Sequence, residues 1–90
     1  MLQNKRGTMK KNNLVERIVI DPKIMVGKPV IRGTRLTVQY ILGLLAQGAS
    51  LDEILSEYDH LSKDDIFACL FFATQTLEDN TFVPLSSEED

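Results

Sequence analysis

The sequence predicts a mainly α protein: a three-helix helix-turn-helix bundle preceded by a small antiparallel β element. Two observations carry this. Three apolar-periodic stretches each begin at a capping residue and are joined by the short linkers "AQGAS" and "DHLS". Ahead of them lie short β-branched runs punctuated by glycine and proline.

The first 14 residues, "MLQNKRGTMKKNNL", lack periodicity and apolar content, so residues 1–16 are expected to form a flexible basic arm. Met9 is an alternative to Met1 as the start. "RIVID", Arg17 to Asp21, reads as a short strand stopped by Pro22. "VIR" and "RLTV" are β-like and flank Gly33-Thr34, which predicts a hairpin with a type II′ turn. In that arrangement Arg32 and Arg35 face each other. Alternatively "RIVI" pairs with "RLTV" and everything between them is loop.

Thr37 is the expected N-cap of the first helix. Val38, Ile41, Leu42, Leu45 and Ala49 then share one face, and Gly48 closes it. The second helix opens with a capping box, Ser50 with Glu53, and turns Leu51, Ile54, Leu55 and Tyr58 inward. The third opens at Ser62, with Asp64 and Asp65 in a first turn where the helix dipole favours acids, and runs to about Glu78. Ile66, Cys69, Leu70, Ala73 and Leu77 are its expected core face. The domain therefore spans 17–79, and 80–90 is an acidic tail with an apolar knot at Phe82, Val83 and Leu85.

At 90 residues the chain is one domain with a modest core. Its longest apolar run, "IFACLFFA", is far short of the roughly 18 residues a membrane span needs, and the start has no secretory segment. One cysteine excludes a disulfide framework and points to a reducing compartment, the cytoplasm. The net charge of -3 hides a division. Met1 to Val38 carries nine cations against two anions, +7, and Gln39 to Asp90 carries one against eleven, −10. This polarity suits a polyanion at one end and a cationic partner at the other. Solvation of a loose N-terminus accounts equally for Lys5, Arg6, Lys10 and Lys11.

Like charges opposed on a β pair cost roughly 0.2–1 kcal/mol, so Arg32 and Arg35 call for an anion. Phosphate matches the arginine fork, with Lys28 and the N–H groups at the start of the first helix beside it. An internal carboxylate, Asp52, Asp64 or Asp65, is the competing partner. In a helix-turn-helix, base edges meet the start of the third helix, here Ser62, Lys63, Asp64 and Asp65. Two acids repel phosphates there. The turn and the arm are therefore expected to do most of any DNA binding, with Lys63 a minor contact. Phe67, Phe71 and Phe72 lie off the core face of a helix that is apolar all round, which predicts a homodimer or partner interface. Cover by the β element and the first helix is the competing account.

His60 is the sole histidine, without a second soft ligand, and reads as a turn residue. Cys69 reads as a buried, inert thiol. There is no phosphate loop or nucleophile motif, so no enzyme and no cofactor is expected.

"GKPVIRGTRLTV", the helix ending "LAQGAS" and "LDEILSEYDHLSKDDIFACLFFA" together resemble a bacterial and archaeal domain-of-unknown-function family, number four hundred and thirty-three. The resemblance spans about Arg17 to Glu78. Its signature falls on Gly27, Lys28, Pro29, Arg32, Gly33, Thr34 and Arg35. It implies a homeodomain-like helix-turn-helix fold and, for some members, a VapB-type antitoxin encoded beside a PIN-like toxin nuclease. On that expectation the protein is a type II antitoxin that binds its own operator and neutralises a toxin. A protein-interaction module without a nucleic-acid role is the rival, in which Arg32 and Arg35 are structural.

Overall fold

The computed structural model describes residues 14–79. The expected arm, up to residue 13, and the tail 80–90 lie outside the described residues, with Lys5, Arg6, Lys10, Lys11 and the Phe82, Val83, Leu85 knot. The elements are β1 (Ile18–Val19), a 3-10 turn (Met25–Gly27), β2 (Val30–Ile31), α1 (Val38–Ala46), α2 (Leu51–Glu57) and α3 (Lys63–Asp79). The chain is mainly helical, with a small antiparallel sheet ahead of a helix bundle. Residues 14–16, assigned to the arm from sequence, are helical, and Leu14 is buried.

The main pairing is one that neither expectation gave, while the expected pairing of "VIR" with "RLTV" forms at one point. β1 pairs with β2, Ile18 opposite Ile31 and Val19 opposite Val30. "RLTV" contributes a single bridge, Thr37 to Val30. Both Val30 and Ile31 are buried, because successive strand side chains point to opposite faces and both faces are covered. Ile31 joins Val38, Ile41, Ile54, Leu61, Ile66 and Cys69 in one core cluster.

The helices start and stop as their local chemistry dictates. Thr37 Oγ1 accepts from the Tyr40 N–H at 3.0 Å. Gly48, at φ 103°, ends α1 in a Schellman motif, its N–H bonded to Leu45 O and the Ala49 N–H to Leu44 O. At α2 the capping box is complete: the Glu53 N–H donates to Ser50 Oγ and the Ser50 N–H to Glu53 Oε1. Ser50→Ala is expected to cost about 1 kcal/mol, read by urea denaturation. At α3 Asp65 plays the same part, accepting from the Ser62 N–H at 2.9 Å while its own N–H reaches Ser62 Oγ at 3.3 Å.

α3 packs on α1, α2 and β1. Ile66 and Cys69 are buried as expected, but Leu70 and Leu77 are 43% and 66% exposed. The core face is rotated because β1 also covers α3, and Ala68 is buried in their place. Burial pushes the Cys69 thiol up to about 12, with the Asp65 charge adding. The thiolate is the reactive form, so Cys69 is expected to resist iodoacetamide at mildly alkaline pH until urea unfolds the chain. Mass spectrometry of the alkylated protein checks this.

Candidate functional site

Residues 31–36 form the turn that carries the signature arginines. The Thr34 N–H donates to Ile31 O at 3.0 Å, closing a four-residue turn. Its central residues are Arg32 and Gly33, so the glycine comes second, not first as the type II′ expectation required. Gly33 has φ 81°, the left-handed value that the second central position of a type II turn demands. Thr34 Oγ1 donates to Ile31 O at 2.8 Å and accepts from the Leu36 N–H at 3.0 Å. Gly33 and Thr34 therefore build the turn, and the Thr34 hydroxyl is already engaged.

This geometry corrects the expected facing pair. Arg32 occupies a central position of the turn and Arg35 follows it outside any strand, so the two are not a ladder pair. Both line one open depression of about 530 Å³ whose apolar residues are Val19, Ile24 and Val30. Arg32 Nε donates to Glu16 O at 2.8 Å, which fixes the guanidinium. Arg35 also borders a second depression, of about 420 Å³, with Met25, Lys28, Tyr40 and Tyr58. Lys28, Arg32 and Arg35 thus form one exposed cationic rim.

The internal carboxylates have a different partner. Arg17 Nη1 lies 2.9 Å from Asp65 Oδ1 and Nη2 lies 3.8 Å from Asp64 Oδ2. Arg17, which the sequence reading gave no role, ties the start of the β element to the start of α3. Among the described residues, no carboxylate pairs with Lys28, Arg32 or Arg35. The start of α1 offers less than expected: the Val38 N–H donates to Pro29 O and the Tyr40 N–H to Thr37 Oγ1.

The family described as "Protein of unknown function (DUF433)" matches residues 18–73. The chain belongs to this family. An uncharacterized protein of Archaeoglobus fulgidus is 67% identical over 24 residues, 27% of this chain and 67% of that one. The crystal structure of a DUF433 member from Anabaena variabilis superposes with a TM-score of 0.67 at 28% identity, over 83% of this chain and 74% of that one.

In this DUF433 chain the family span takes in the whole arginine turn and most of α3. Two residues to which sequence reasoning gave no role at the site stand beside the turn. Tyr40 and Tyr58 meet edge to face, ring centroids 6.2 Å apart, with their hydroxyls hydrogen-bonded. That bond to Tyr40 raises the Tyr58 phenol above its ordinary range, with slight burial and the Tyr40 and Glu57 charges adding. Eighteen residues of separation hide such a pair from local patterns. Lys63 borders neither depression. Phe67, Phe71 and Phe72 are each half-buried; Phe72 packs on the core cluster, while Phe71 lines an apolar groove of about 280 Å³ with Val15 and Ile20. Among the described residues no group of three or more His, Cys, Asp or Glu is placed to hold a metal, and no helix is long and apolar enough to cross a membrane.

Proposed function

We propose that this DUF433 chain is a small cytoplasmic DNA-binding protein, the antitoxin of a type II pair. It grips duplex phosphates with Lys28, Arg32 and Arg35, represses its own operon and neutralises a PIN-like toxin nuclease. It carries out no reaction of its own. The supporting observation is the cationic rim: three exposed cations with no carboxylate partner among the described residues. Arginine forks match phosphate oxygens, and a rim of this kind binds backbone rather than bases. The first turn of α3 favours the same reading. Its acids are held by Arg17 and by the Ser62 N–H, so α3 has only Lys63 to offer a base edge.

The antitoxin role rests on the family resemblance and on charge. α2 and its following turn expose Asp52, Glu53, Glu57 and Asp59, a surface suited to a basic partner. The groove at Phe71, with exposed Val15 and Ile20 beside it, suits a second copy of the chain. Exposed Leu70 and Leu77 favour the rival reading, a protein-interaction module without DNA. Two assays decide: a gel shift on the gene's own upstream region, and co-purification with the product of the neighbouring gene. A shift together with co-purification is the expected result. Co-purification without a shift supports the rival, and neither complex sinks both.

A further inference from the structure

The loop between the strands holds a conformation its sequence does not favour. Met25, Val26 and Gly27 have φ values of 49°, 56° and 83° in succession. Glycine adopts such values freely, but a β-branched residue there is an outlier. Val26 takes a left-handed conformation, with ψ 33°, yet 90% of its surface lies in solvent. No core packing repays that strain.

Local bonds fix the turn from both sides. Asp21 Oδ1 accepts from the Lys23 N–H at 2.9 Å, and Asp21 O from the Ile24 N–H at 2.8 Å. The Gly27 N–H then bonds Ile24 O and the Lys28 N–H bonds Met25 O. An apolar side chain is therefore held outward on a rigid tip.

The surroundings of that tip are cationic. Met25 shares one depression with Lys28 and Arg35, and Ile24 shares the adjoining one with Arg32 and Arg35. Lys23 precedes the tip. From 21 to 35 the one carboxylate is Asp21, already bonded to backbone. An exposed apolar knob ringed by cations is poorly matched to a neutral protein pocket and well matched to a stacked base step between two phosphate rows.

We propose that Val26, backed by Met25, is a wedge that enters the minor groove of duplex DNA and parts one base step while Lys28, Arg32 and Arg35 hold the flanking phosphates. This rests on the DNA-binding reading above. Apolar side chains inserted between base steps unstack them and kink the duplex. Strained backbone at such a site pre-organises the insertion, so little loop freedom is lost on binding. Flexible pyrimidine–purine steps part most easily, so the wedge confers sequence preference without a base-reading helix.

Val26→Asn tests this, because asparagine tolerates left-handed backbone but is polar. The probe is a short duplex with a fluorescent adenine analogue, which brightens on unstacking, at a TA step. Wild type is expected to brighten the probe at saturation. Val26→Asn is expected to bind about tenfold more weakly, to leave the saturated probe dark and to raise Tm by roughly 5 °C. Val26→Gly, also compatible with the backbone, is expected to bind and report alike. Equal brightening by wild type and both variants overturns the wedge. Wild-type binding without brightening overturns it too, and leaves the DNA reading standing. No wild-type binding overturns both. A lower Tm in both variants shows a packed tip and overturns the wedge. So does intact brightening with lost capture of the neighbouring gene product, which assigns the tip to a protein partner.

Discussion

Replacing Arg32 and Arg35 together by alanine is expected to weaken binding to duplex DNA roughly a hundredfold and leave Tm unchanged. Each charge-assisted bond to phosphate contributes about 1.5 kcal/mol, and two such bonds give that factor. The unchanged Tm follows from the geometry. Arg35 has no carboxylate partner among the described residues, and Arg32 makes one exposed bond to Glu16 O. The turn itself is held by Gly33 and Thr34, which remain. Titration of a labelled duplex and a thermal melt read the two effects separately. A large drop in Tm with little change in binding assigns the arginines a structural role and removes them from the DNA contact.

The second large effect concerns Asp65. Asp65→Ala is expected to cost about 3 kcal/mol, a large share of what a domain of this size holds. One carboxylate has two tasks there. Oδ2 caps α3 through the Ser62 N–H, and Oδ1 receives Arg17 at 2.9 Å. Its side chain is only 12% exposed, so the pair is partly desolvated. Without it, the one carboxylate left to the part-buried Arg17 guanidinium among the described residues is Asp64, and among them its buried Nε has no bonding partner. A half-buried charge that loses its counter-ion is costly. Asp64 is the contrast: its contact with Arg17 is longer, 3.8 Å, and 34% of the side chain is exposed, so loss of that contact in Asp64→Ala is expected to cost only about 0.5 kcal/mol. Urea denaturation of both variants checks the difference.

The helix boundaries were legible because caps are local. Thr37, Ser50 and Ser62 each bond a residue three positions on, and Gly48 closes α1 over the preceding turn. The core faces of α1 and α2 followed from periodicity. α3 did not: it is apolar all round, so only its neighbours decide which side is buried, and β1 turned Leu70 and Leu77 outward. The strand pairing was equally hidden. Paired runs of two residues carry no register signal, and the closing loop is held by backbone bonds that no residue type announces.

At the site, the two arginines singled out from sequence border one depression, and the turn that carries them is not the one expected. Gly33-Thr34 resembles a two-residue hairpin loop, yet the Thr34 hydroxyl binds Ile31 O and shifts the turn one residue back. The choice between phosphate and carboxylate stayed open because it depended on Arg17, forty-eight residues from Asp65. Arg17 engages both acids of the first turn of α3, and among the described residues no carboxylate pairs with the three cations of the rim. Val26 lay outside sequence reasoning altogether, since nothing in "KIMVGKP" requires valine to be left-handed.

The salt dependence of duplex binding tests the central claim most directly. Each phosphate neutralised contributes about −0.9 to the slope of log K against log salt, so three cations predict a slope near −3. The double alanine variant is predicted to lose about two units of it. A wild-type slope near zero, or a steep slope that survives loss of both arginines, would contradict phosphate binding by this turn.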